Sequence, residues 1–185
     1  MILGIDPGLD GGLIVLGYDN EVIDKLVMPL IKPIKKKASK KLTTKKIKTK
    51  KKARREYDLE ALNDFIFKYK EKIDFAVLEK VWARQGEGVS SSFTFGKGYG
   101  LLLGILSAYR IKFILTTPKT WQGKNITGEK DPKKRSLSKK LELYPEVDLR
   151  ATERSKKQHP GLVDAILIAN YGLTNKDSIC KTLLK

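Results

Sequence analysis

Three acidic residues stand among apolar neighbours, where an unpaired charge is costly. Asp6 ends the run LGID, Glu79 ends DFAVLE, and Asp164 sits inside GLVDAILIA. A carboxylate taken out of water needs a cation, a hydrogen-bonding partner or a proton. Each acid alone reads equally well as a capping or turn residue. Together they suit a hard divalent cation, which takes oxygen ligands and relieves the repulsion between them. The chain has one histidine, His159, and one cysteine, Cys180. A Ser-His-Asp or Cys-His mechanism would have to use that one imidazole, and no Cys/His cluster has zinc-site spacing. Cys180 has no partner for an internal disulfide, so a reducing, intracellular setting is expected.

The elements that must position these acids follow from the apolar pattern. Residues 1–5 form an apolar run closed by Asp6-Pro7-Gly8, which is a strand followed by a turn. GLIVLGY (12–18) predicts a second strand and residues 21–30 a third, close enough in sequence for an antiparallel meander. Asp58 is placed to cap a helix over 59–71, with Leu59, Leu62, Ile66 and Tyr69 at helical spacing. DFAVL (74–78) predicts a short buried strand ending at Glu79. A Gly/Ser loop over 84–92 leads to a long helix from about 91 to 110. Four glycines inside it, at 96, 98, 100 and 104, lower its helix propensity and suggest close approach by another helix or a subunit. Residues 111–116 predict a strand, 119–133 a Gly- and Lys-rich loop, and 134–143 a helix. A last helix runs over 160–171 with Pro160 in its first turn. This order implies an α/β fold, a mixed sheet of about five strands flanked by helices. A length of 185 residues suits one domain spanning 1–185. If the strands ending at Asp6 and Glu79 are neighbours, both carboxylates emerge at one sheet edge, where Asp164 could approach.

Charge separates one segment from the rest. The chain has 38 Lys and Arg against 21 Asp and Glu, a net +17. Residues 31–55 hold 12 Lys, 2 Arg and no acid, which is +14 of that total. Such density opposes a compact state without a partner. The segment reads as a solvated linker or localisation signal, or as a flexible arm on nucleic-acid phosphates; the arm is favoured. No run approaches the roughly 20 apolar residues of a membrane span. Residues 1–8 lack a basic n-region, so a secretory signal is not expected.

The segments GIDPG (4–8), LEKVWA (78–83), GEGVSSSFTFGKGYGLLLGILSA (86–108), TPKTW (117–121) and HPGLVDAILIANYG (159–172) occur in one order. In order and style they resemble the RuvC family of Holliday-junction resolvases, nearest to its phage- and virus-type branch. The resemblance spans nearly the whole chain outside the Lys-rich segment. It implies an RNase H-like fold and a homodimer acting on branched DNA, with no membrane and no nucleotide cofactor. It places Asp6, Glu79 and Asp164 at three of four metal-binding positions, with Asp6 bridging two Mg²⁺ (Mn²⁺ may substitute). Two ions about 4 Å apart would support in-line attack on a phosphodiester, leaving a 5′-phosphate. The family's fourth position, an Asp or His one helical turn before the last acid, is here Gly161. The nearest candidate is His159, as a ligand or proton carrier; a surface histidine at a helix start is the alternative.

The same resemblance points to DNA contacts. Trp82 lies three residues after Glu79, where the family often has an aromatic that stacks on a base near the crossover. Core packing is the other reading for a Trp, but Arg84, Gln85 and Gly88 nearby favour an exposed loop, and Arg84 and Gln85 join the candidate contacts. Lys119, Lys124, Lys133, Lys134 and Arg135 lie where the family places basic residues facing DNA; a solvated basic loop is the alternative. Phe93 and Phe95 are expected in the core or a dimer contact. A four-way junction has two-fold symmetry, so two sites in a homodimer would nick opposing strands, with the 96–108 helix as the candidate interface. Three other readings share parts of this pattern. A nuclease of the same fold could act on flaps, forks or RNA. A non-catalytic junction-binding protein would account for Gly161. An actin-like ATPase would use GIDPG for phosphate, but 185 residues cannot supply its two lobes.

Overall fold

Side chains of the first strand alternate between two cores. Ile2 packs into one with Phe75, Val77 and Ile166, whereas Leu3 and Ile5 pack into the other with Leu62, Leu78, Leu102 and Leu106. A strand covered on both faces reads as a continuous apolar run, which is why residues 1–5 lack polar alternation. The computed structural model describes residues 1–31, 55–82, 86, 88–123 and 131–184. Most of the Lys-rich segment (32–54), together with Arg84, Gln85 and Lys124, therefore lies outside the described residues.

Strands β1 (Ile2–Asp6), β2 (Gly12–Leu16) and β3 (Val22–Val27) form the antiparallel meander. After it come a two-residue pair, β4 (Leu30–Ile31) with β5 (Glu56–Tyr57), and helix α1 (Leu59–Tyr69). Next are β6 (Phe75–Glu79), α2 (Val89–Ala108), β7 (Phe113–Thr116) and the short α3 (Pro118–Gln122). Helices α4 (Pro132–Leu143), α5 (Pro160–Thr174) and α6 (Lys176–Leu183) complete the order. The main sheet runs β3-β2-β1-β6-β7, with β6 parallel to both β1 and β7. This is the mixed five-stranded α/β sheet that the sequence implies.

Helix α1 forms as expected, with Asp58 Oδ1 accepting from the Ala61 N–H at 3.1 Å. Its buried face is Leu62, Ile66 and Tyr69, while Leu59, in the first turn, is 46% exposed. Helix α5 is apolar nearly all round because it lies across β1 and β2 and is covered by α4. Its approach is so close that a Cβ at Gly4 would overlap the backbone of Ala165 and Ala169.

Several elements depart from expectation. The 119–133 loop is interrupted at both ends. Thr117 and Asp131 cap α3 and α4, each with Pro at its first position, so helix begins at Pro118 and again at Pro132. The β4–β5 pair and α6 are unanticipated. On α2, Gly98 packs against the Tyr57 ring, while Gly96, Gly100 and Gly104 face open space. Phe93 is 74% exposed, so it is not a core residue, whereas Phe95 is half-buried and lines a cleft.

Candidate active site

Strand parity brings two of the acids together. In the parallel pair β1–β6, Ile5 lies opposite Leu78, so Asp6 and Glu79 stand at the next step on neighbouring strands. Ile2 and Phe75 face the core under α5, and two-residue alternation carries Asp6 and Glu79 to that same face. Asp164 projects from α5 itself. All three line one open cleft of about 1010 Å³.

The cleft is electrostatically tense. Burial pushes the Asp6 carboxyl up to about 7, and the nearby Asp164 and Glu79 charges push the same way. The Gly8 N–H, 3.2 Å from Asp6 Oδ1, opposes this only in part. Burial likewise raises Asp164, although the Ser136 hydroxyl and Lys133 favour its ionised form. Asp164 Oδ1 is buried with no hydrogen-bond partner among the described residues. A buried carboxyl raised by two neighbouring acids, beside one with an orphaned oxygen, fits the demand for a divalent cation. Among the described residues, no three His, Cys, Asp or Glu side chains are yet gathered tightly enough to hold an ion. Glu79 is bonded elsewhere: its Oε1 accepts from Trp121 Nε1 at 2.8 Å.

The other candidates divide. His159 caps α5 at the cleft wall, its Nδ1 buried without a partner among the described residues. Burial holds its imidazole below the ordinary value, against the pull of the Asp10 charge. Gly161 touches the β1–β2 turn, and a Cβ there would overlap the Asp10 carbonyl oxygen and the Gly11 backbone. Trp82 lines the cleft and is 57% exposed, which excludes core packing. Lys133 lines the cleft, and Lys119 and Lys134 are exposed outside it. Arg135 is half-buried, with its Nε enclosed and unpartnered among the described residues.

Four contributors escape a sequence reading. Trp121 is 7% exposed and holds Glu79. Ser136, on α4, acts on Asp164. Tyr57 donates to the Pro7 carbonyl at 3.2 Å, directly behind Asp6. Asp10, on the β1–β2 turn, lines the cleft and accepts two hydrogen bonds from Arg55, at 2.5 and 3.2 Å. The TPKTW motif was the available signal for Trp121; nothing in the sequence links Asp10 to Arg55.

Solved structures share this fold. Thermus thermophilus RuvC superposes with a TM-score of 0.53 at 15% identity, covering 96% of this chain and 95% of that one. T. thermophilus RuvC in complex with a Holliday junction substrate gives 0.50 at 12% identity over the same shares. No protein-family model matches the sequence, and no curated protein matches it. Among the described residues, no helix is long and apolar enough to cross a membrane.

Proposed function

We propose that this chain is a metal-dependent, structure-selective endonuclease that resolves four-way DNA junctions by paired nicks, in recombination or repair. The observation that carries this reading is the convergence in one cleft of Asp6 and Glu79, at the C-terminal ends of neighbouring parallel strands, with Asp164 of α5. A fold shared with a RuvC solved on a Holliday junction supports the substrate class.

Asp6, Glu79 and Asp164 would hold Mg²⁺, with Mn²⁺ able to substitute. Two such ions, if bound, would supply Lewis-acid polarisation of the phosphodiester and acidification of the attacking water. His159, at the cleft wall, carries a proton at Nδ1 or Nε2. Trp121 fixes the Glu79 carboxylate in its cleft. Trp82 stacks on an unpaired base at the branch point. Lys119, Lys133, Lys134 and Arg135, with Arg84, Gln85 and Lys124 outside the described residues, hold phosphates; the Lys-rich segment adds non-specific affinity. A homodimer through the exposed glycine face of α2 places two clefts on opposing strands.

The test is cleavage of end-labelled four-way, three-way, flap and linear duplex DNA with Mg²⁺. Symmetrical nicks with 5′-phosphate ends, confined to the four-way substrate, are expected. Equal cutting of flaps would turn the assignment to a broader nuclease. Binding without cutting in Mg²⁺ or Mn²⁺ would turn it to a junction-binding protein.

A further inference from the structure

The first turn of α5 lies directly on the β1–β2 turn. At Gly161 any side chain would collide with the backbone of Asp10 and Gly11, so the helix has no room there for an acid facing the cleft. The turn that takes the space carries a carboxylate of its own. Asp10 lines the cleft with Asp6, Glu79 and Asp164. Its charge acts on Asp6, and His159 and Lys133 act on it in turn. The Asp10 side chain is 79% exposed, and both oxygens are occupied by one group, the Arg55 guanidinium. An exposed pair of this kind contributes little stability, so exchanging partners costs little. The planar fork of Arg55 also matches a phosphate as well as it matches a carboxylate.

We propose that Asp10 is a fourth acidic group of the site, supplied by the β1–β2 turn in place of helix position 161, and that Arg55 is its displaceable counter-ion. A DNA phosphate entering the cleft draws Arg55 away and leaves Asp10 to the divalent ions. Acid and substrate are thereby linked: without DNA, Arg55 competes with metal for Asp10; with DNA, it does not. The inference rests on the nuclease reading of the cleft.

Competition predicts opposite signs for two substitutions. Mn²⁺ is titrated into the full-length, DNA-free protein by calorimetry, with the thermal midpoint of each variant recorded to verify folding. Asp10→Asn lowers the affinity of the weaker ion about tenfold. Arg55→Gln raises it about threefold, and the double variant behaves as Asp10→Asn alone. Unchanged binding in both single variants, or an equal fall in both, would overturn the proposal. Asp6→Asn separates this from failure of the underlying reading. If Asp6→Asn abolishes Mn²⁺ binding and Asp10→Asn leaves it intact, only the role of Asp10 falls. If Asp6→Asn titrates like the wild type, the metal cleft falls, and the role of Asp10 with it.

Discussion

The two ends of the β1–β6 pair treat their acids in opposite ways. At the N-terminal end, burial favours protonation of Asp74, but hydrogen bonds from the terminal ammonium (2.5 Å) and Tyr18, with Lys176 nearby, hold its carboxyl low. At the C-terminal end, a few residues away, Asp6 is buried beside Asp164 and Glu79 and is pushed up to about 7. Asp24 follows the first pattern, kept low by Tyr69 and Lys68 against its own burial. Acids that serve the fold receive cations or hydroxyl donors. Asp6 instead has only the Gly8 N–H to set against its burial and two neighbouring carboxylates, which makes its place the one where a cation is worth most.

Substitution at both ends gives the largest effect. Asp6→Asn is expected to lower junction cleavage at least about 1,000-fold, roughly 4 kcal/mol of barrier, while binding persists. Asp74→Asn is expected to leave cleavage within about threefold, a change of under 1 kcal/mol. Strand-cleavage assays on the same junction compare them, and comparable losses would erase the distinction. Next is Trp82→Ala, which removes a stacking surface worth about 1–3 kcal/mol. Junction affinity, read by gel shift, should fall about 5- to 150-fold with the thermal midpoint unmoved, since the side chain is mostly exposed. Unchanged affinity would remove the stacking role.

Trp121→Phe keeps the apolar packing and deletes the donor to Glu79. A hydrogen bond to a charged group is worth about 1.5–3 kcal/mol, so cleavage should drop about tenfold or more with binding intact. Full activity would show that Glu79 needs no such anchor.

The two ends also differ in how stability depends on pH. The folded value for Asp6 lies above its ordinary 3.8, so the native state holds this proton longer than the unfolded chain. Stability therefore falls as pH rises from about 4 to about 7 and levels off above. At about 1.4 kcal/mol for each pH unit, the loss from this group is a few kcal/mol. Urea unfolding in chelator should show that fall in the wild type and a flatter profile in Asp6→Asn. Identical profiles would contradict the tension described for the cleft. Replacing residues 32–54 with a short Gly/Ser linker that still closes the β4–β5 pair should be mildest. The salt dependence of junction binding becomes shallower, by about 0.9 in log–log slope for each DNA phosphate that the segment neutralises. An unchanged slope would assign that segment another role.

Much of this was legible in the sequence, for a physical reason. Strands buried on both faces appear as apolar runs, and an acid that ends such a run, like Asp6 or Glu79, announces itself by its cost. Asp164 was visible in the same way within α5. What stayed hidden depends on contacts between residues far apart in the chain. Glu79 meets Trp121 across 42 positions, and Asp10 meets Arg55 across 45. The β4–β5 pair has two residues per strand, too few for any period to show. Helix α3 is equally short, although Thr117 followed by Pro118 was a readable helix start. On α2, apolar residues and glycines surround the axis, so composition could not say that Phe93 would point outward.

The nuclease reading stands or falls on Asp6, Glu79 and Asp164 sharing metal. Anomalous diffraction from crystals soaked in manganese tests it most directly. Peaks are expected among these three carboxylates, with Glu79 drawn toward them. Manganese bound only elsewhere, or a cleft left bare at saturating concentration, would contradict it.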